Sequence, residues 1–446
     1  MRAKSSSPGT DELFRSRLDQ ILNMNRPLIL LGQTLDWDVF TQRFGALYSE
    51  QQGRPGLPIR LMVGLTYLSR TYNLSDEEVV ARWLDNPYWQ YFCGYEYFQH
   101  DIPCDPSSLV RWRQRIKEDG VEFLLQQTIN VAKRAKMISK HDLDKVNVDT
   151  TVQEKAIRFP TDARLYHRML EHLVKAARKY SIPLRQSYVR KGKRALLRQS
   201  SYGHARQMKR AAGEMKKLKT MLGCVYRDIL RKVMEPTAEL ARELELAARL
   251  LSQKKQDKNK LYSIHEPDVE CISKGKIHKK YEFGNKTGFV TTSSQSWVIG
   301  AMAFHGNPYD GHTLAAMLDQ VQRLTGWEVK EAYCDLGYRG HGYSGSTTVH
   351  VVNLRKRAKK RSEHRWQKRR AAIEPVIGHL KEDHRLNRNQ LKGKDGDKLN
   401  ALLAACGKNL RKWLQIFLPH FLRHAIMVDL AQILEKSVDW LTLKVA

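Results

Sequence analysis

The chain has 446 residues, room for two or three domains and a sizeable core. Its 77 Lys and Arg stand against 47 Asp and Glu, a formal net charge of +30, which favours a polyanionic partner. Six cysteines with no C-x-x-C pair, no H-E-x-x-H motif and no apolar run of the roughly 18 residues a membrane helix needs exclude a disulfide framework, a zinc ribbon and a membrane span.

In chain order, Met1 to Glu12 holds no apolar core for a signal peptide, so a cytoplasmic protein is expected. Residues 1–36 read as a leader, and residues 37–135 as a helical, DNA-binding domain. Gly53-Arg54-Pro55-Gly56 is a turn before an apolar helix that begins at Ile59. Ser75-Asp76-Glu77-Glu78 is a capping box. An aromatic run from Tyr88 to Phe98 reads as core. Asp105-Pro106-Ser107-Ser108 then caps a basic helix with Arg111, Arg113 and Arg115, which suggests a helix-turn-helix type module.

Val146 to Asp149 alternates with the period of a strand. Residues 164–261 return to helical spacing and are strongly basic, a helical insertion. Its block Arg190-Lys191-Gly192-Lys193-Arg194 reads as part of a DNA-contacting arm, the alternative being a solvated spacer. From about 262 the period is again that of strands. Lys280–Thr292 predicts strand, turn and strand, and Ser296–Phe304 a buried strand. Thr313–Thr325 predicts an amphipathic helix. Strands ending at Asp335 and covering 347–354 follow, then a helix with Glu374, and C-terminal helices over 391–446. The whole predicts a mixed α/β fold.

Three acids stand out in this basic chain: Asp149 and Asp335, each read at a strand end, and Glu374 on the late helix. Carboxylate oxygens suit hard divalent cations, and two such ions can drive phosphodiester chemistry. Each acid has a plainer reading. Asp149 can cap Thr150 and Thr151, Asp335 can start a turn, and Glu374 can pair with Arg370 one helical turn earlier. Arg370, Glu374 and Lys381 fall on one helical face, with Gly378 beside them and Pro375 hinting at a kink or helix start.

On these residues the chain resembles an insertion-sequence transposase of the IS5 group, within the IS4-like class of DDE transposases. Arg54-Pro55-Gly56 and Ser107-Ser108-Leu109-Val110-Arg111-Trp112-Arg113 resemble the family's N-terminal domain. Val148-Asp149-Thr150-Thr151-Val152-Gln153-Glu154, Asp335-Leu336-Gly337-Tyr338 and Arg370-x3-Glu374-x6-Lys381 resemble its three catalytic motifs. The Tyr that normally precedes the Arg by three positions is Gln367 here, next to Trp366. The resemblance implies a ribonuclease-H-like mixed-sheet catalytic core over 140–163 and 262–390, with a long helical insertion and an N-terminal all-helical domain. It implies Mg²⁺ (or Mn²⁺) on Asp149, Asp335 and Glu374, with Arg370 and Lys381 on phosphates. It also implies cleavage at element ends with joining to target DNA, a homodimer in the DNA complex, and a bacterial, nucleoid-associated location. The rival readings are a transposase-derived or RNA-binding protein without activity, and a metal nuclease that cuts without joining.

Overall fold

The computed structural model describes residues 15–49, 55–254, 256–257, 260–273, 280–353 and 361–443. Eight helices come first: α1 (Leu18–Ile21), α2 (Pro27–Thr34), α3 (Trp37–Gly45), α4 (Ile59–Thr71), α5 (Asp76–Asp85), α6 (Pro87–Phe92), α7 (Ser107–Arg134) and α8 (Lys140–Leu143). The predicted capping box opens α5: the Ser75 hydroxyl accepts from the Glu78 amide at 3.1 Å, and Glu78 Oε2 accepts from the Ser75 amide at 2.8 Å. Trp89 and Phe92 of the aromatic run are buried. Helix α7 is interrupted at Lys117, whose backbone (φ 54°, ψ −163°) is not helical. The stretch expected to be a leader is packed from Leu18 onward. Leu18, Leu28, Ile29 and Leu31 are buried in α1 and α2, because their apolar side chains have a core to enter.

Next come β1 (Lys145–Glu154), α9 (Asp162–Lys179), α10 (Val189–His204), α11 (Met208–Lys232), α12 (Ala238–Ser252), β2 (Glu270–Ser273), β3 (Tyr281–Thr292) and β4 (Val298–Phe304). Then follow α13 (Asp310–Thr325), β5 (Glu331–Cys334), β6 (Thr348–Val351), α14 (Arg361–Arg370), α15 (Ile373–Asp383) and α16 (Gly393–Leu443). The mixed sheet runs β2-β3-β1-β5-β6, with β4 also on β3. Strand β3 is antiparallel to β1, β2 and β4, while β5 is parallel to β1 and to β6. Helix α13 supplies the crossover between β4 and β5. No described helix is long and apolar enough to cross a membrane.

The strand–turn–strand expected over 280–292 is one continuous strand. Its glycines mark close approach instead of a turn. A Cβ on Gly284 would stand 1.9 Å from the Gln153 carbonyl oxygen, and one on Gly288 would stand 2.2 Å from Met317 Sδ.

Helices α9 to α12 form an arm between β1 and β2 with its own apolar core, including Leu170, Leu173, Leu218, Leu222, Ile229 and Leu250. At its root Lys155, just past β1, is 2.8 Å from Asp397 of α16 and 3.2 Å from Glu266. Burial pushes the Asp397 carboxyl up to about 6. A second, larger core joins the N-terminal helices, the sheet and α16. Asn409 of α16 accepts from the Val298 amide at 3.0 Å and donates to the Val298 carbonyl at 2.8 Å, so a side chain completes the backbone pairing of β4. The first half of α16 is therefore an internal strut.

Candidate active site

Strands β1 and β5 pair in parallel with Lys145 opposite Glu331, Val146 opposite Ala332 and Asn147 opposite Tyr333. Two residues beyond that pairing on each chain segment lie Asp149 and Asp335, and both carboxylates come within 3.7 Å of one atom, Arg370 Nη2. Asp149 lies within β1, which continues to Glu154, so it is not at a strand end as expected. What ends there is the pairing with β5, because β5 stops at Cys334 and a 3₁₀ turn follows over Leu336–Tyr338. Asp335 caps that turn, its Oδ1 accepting from the Gly337 amide at 2.9 Å. Asp149 Oδ1 accepts from the Thr150 amide at 2.8 Å.

The third acid arrives on a helix break. Helix α14 ends at Arg370 and α15 begins at Ile373, so Glu374 and Pro375 occupy the first turn of a new helix. Proline is harmless there, since its missing N–H would lack a helical partner anyway. Arg370 and Lys381 thus lie on two successive helices instead of one.

The end of α14 is fastened to the sheet. Asn147, two residues before Asp149 on the same face of β1, is buried and donates to the Arg369 carbonyl at 3.0 Å. Its Oδ1 accepts from Ser293 Oγ at 2.7 Å. Arg369 Nε donates to the Ser293 carbonyl at 2.8 Å, and its Nη2 to the Ser294 carbonyl.

This anchoring aims Arg370 at all three acids. Its Nη2 is 2.8 Å from Asp149 Oδ2 and 3.7 Å from Asp335 Oδ2, and its Nη1 is 3.0 Å from Glu374 Oε1. The Arg370 and Asp149 side chains are each 13% exposed, against 40% for Asp335 and 62% for Glu374. The i,i+4 pairing of Arg370 with Glu374 is thus present, as one arm of a larger cluster. Among the described residues Arg370 Nε is buried without a hydrogen-bond partner. Burial, then the charges of Asp335 and Asp149, push the Cys334 thiol far above its usual range.

The donor set is chemically suited to a hard divalent cation. Its spacing is set by a guanidinium, however. Among the described residues no three Asp, Glu, His or Cys side chains are gathered closely enough to hold a metal ion. A fourth acid, not anticipated from sequence, borders the cluster. Asp310 Oδ1 accepts from Thr150 Oγ1 at 2.8 Å and is 2.8 Å from Lys286 Nζ. The sequence signal for it was its place between a buried strand and the helix that crosses the sheet. Asn147 and Arg369 carried no comparable signal.

The basic residues expected to face DNA divide. Arg113 is buried and grips Asp76 through two bonds of 2.9 and 2.5 Å, so it is an internal ion pair, a correction to its expected role. Arg111 is exposed and donates to Ser107 Oγ at 2.7 Å, and Arg115 lies 4.3 Å above the Tyr48 ring. Arg190, Lys191, Lys193 and Arg194 are all exposed on α10. Lys191, Arg194 and Arg198 face Lys216 and Lys217 of α11 across a cleft of about 650 Å³. Lys381 and Gln367 are half-buried. Gly378 has open space where a side chain would stand.

A family model described as "Transposase domain (DUF772)" matches residues 16–115, and one described as "Transposase DDE domain" matches residues 339–414. An uncharacterized protein, ORF8 in the nfe locus of Rhizobium meliloti, is 49% identical over 207 residues, which is 46% of this chain and 100% of that protein. No solved structure matches the chain. The first model begins inside the stretch expected as a leader. The second spans Arg370, Glu374 and Lys381 and begins after Asp149 and Asp335.

Proposed function

Because its two transposase-domain matches place the chain among the insertion-sequence DDE transposases, we propose that it cuts the ends of its element and joins the freed 3′-hydroxyls to target DNA. The observation that carries this reading is the convergence of Asp149, Asp335 and Glu374 on one cation. The chain order of antiparallel β1, β3 and β4 followed by β5 and β6, parallel to β1, supports a ribonuclease-H-like core. The motif set supports the IS5 group.

Asp149, Asp335 and Glu374 would hold Mg²⁺ or Mn²⁺, which supplies charge for an in-line displacement at phosphorus. The attacking oxygen, of water and later of a DNA 3′-hydroxyl, gives its proton to solvent and forms the new P–O bond as the old P–O3′ bond breaks, and the leaving O3′ takes a proton from solvent. Asn147 and Arg369 position the α14–α15 junction, and Arg370 and Lys381 meet phosphates. Arg111, Arg115 and the α10 cluster Arg190, Lys191, Lys193 and Arg194 hold DNA further out, in a homodimer that processes two ends together in the bacterial nucleoid.

The test is incubation of purified protein and Mg²⁺ with the DNA flanking its own gene, followed by strand analysis. Joined strands support the proposal. Cut but unjoined strands favour a nuclease. Binding without cleavage favours a DNA-binding derivative.

A further inference from the structure

We propose that Arg370 is the resting counter-ion of the acid site, so that a DNA phosphate and a divalent cation bind cooperatively because together they release it. The inference rests on Asp149, Asp335 and Glu374 being metal ligands.

First, Asp149 in β1 and Asp335 just past the end of β5 reach the same guanidinium nitrogen, and two like charges held that near one another repel. Among the described residues, a cation that relieves them is Arg370, at 2.8 and 3.7 Å. Lys286 is engaged elsewhere, with Asp310 at 2.8 Å and the Pro308 carbonyl at 2.5 Å. Second, Arg370 and a metal ion need the same oxygens. Asp149 Oδ2 faces the guanidinium at 2.8 Å, while Oδ1 accepts the Thr150 amide at 2.8 Å. A divalent ion next to the guanidinium would also meet its like charge. Third, Arg370 is under-used where it sits. Nε is buried without an acceptor among the described residues, and a phosphate can accept from Nε and Nη as a fork.

The backbone permits the exchange. Arg369 stays tied to the Ser293 and Ser294 carbonyls, and Asn147 to the Arg369 carbonyl, so the helix end remains seated while the Arg370 side chain turns. A phosphate that draws Arg370 away uncovers the carboxylates. A metal ion that claims the carboxylates frees Arg370 for a phosphate. By linkage each must raise the affinity for the other by the same factor.

The experiment measures Mn²⁺ binding to the full chain by calorimetry, with and without a short duplex of unrelated sequence, corrected for Mn²⁺ bound by the duplex alone. Duplex affinity is measured by fluorescence anisotropy, with and without Mn²⁺. In the native chain each ligand is expected to strengthen the other on the order of tenfold. In Arg370→Gln, Mn²⁺ should bind more tightly without DNA, and the mutual factor should fall to near one. Weaker Mn²⁺ binding in Arg370→Gln with the native coupling retained would overturn the proposal. Should that variant fail to fold, Arg370→Lys keeps the charge but loses the fork, and a coupling factor unchanged from the native chain would count against the proposal equally. Asp149→Asn separates the two layers. If it leaves Mn²⁺ binding intact, the ligand assignment itself is wrong. If it abolishes binding while Arg370→Gln keeps the coupling, only the counter-ion role fails.

Discussion

In the acid site one guanidinium, 13% exposed, meets three carboxylates that come from a strand, a turn that follows a second strand, and a helix. On the arm, Arg190, Lys191, Lys193 and Arg194 crowd one helix turn and project into solvent. Among the described residues lining the α10–α11 cleft the one acid is Glu214, and it is paired with Lys217 at 2.6 Å. The two regions use the same residue types for different physics. Where burial and register fix partners, a single charge sets local structure. Where charges stay solvated, only their number matters, as a diffuse attraction that salt can screen. Net charge therefore describes the arm well and the acid site poorly.

Breaking the fixed side of this comparison should cost most. Asp149→Asn or Asp335→Asn should slow strand cleavage on the order of 10³-fold, with the melting temperature held as a control. Cleavage within tenfold of the native chain would remove these acids from the site. Next in size is Arg113, the internal pair mistaken for a DNA contact. Arg113→Ala leaves Asp76 uncompensated and should lower stability by about 3 kcal/mol in urea unfolding. Arg194→Ala on the arm should stay within about 0.5 kcal/mol. Equal losses would erase the distinction drawn here.

The solvated side is sharpened by salt. Replacing Lys191, Arg194, Arg198 and Lys216 with Gln should flatten the plot of log affinity for duplex DNA against log salt, by about 0.9 for each cation that meets a phosphate. An unchanged slope would show that the cleft does not touch the backbone.

The smallest effect concerns His384, buried against α16, with Nδ1 donating to the Arg70 carbonyl at 2.9 Å. Burial lowers it from 6.5 to about 4. Below 6.5 the unfolded chain takes up a proton that the folded chain refuses, so stability falls with falling pH across that window. The loss should be about 2 kcal/mol between pH 6.5 and 5, read from unfolding curves, and His384→Asn should flatten it.

Much of the architecture was legible locally. The Ser75 box, the apolar spacing of α13 and the leucines of the arm each specify an element within a few turns of chain. The errors fell where a distant neighbour decides. Gly284 and Gly288 have the look of a turn until Gln153 and Met317 are seen against them. Leu18 and Leu31 belong to a leader only until a core is present to receive them. Arg113 reads as a basic-helix residue until Asp76, 37 positions earlier, takes its guanidinium.

The sequence by itself determined the chemistry on offer: hard oxygen donors in Asp149, Asp335 and Glu374, an Arg and a Lys spaced about Glu374, and a basic helical insertion. Local periodicity and capping carry that information, because they act between neighbours in the chain. Only the tertiary structure decided who meets whom. The β1–β5 pairing brings the segments of Asp149 and Asp335 together, and Asn147 holds the Arg369 carbonyl across 222 positions of chain. That hold turns Arg370 toward the acids. Such pairings depend on distance in space, which strand register and packing fix and which spacing along the chain does not encode.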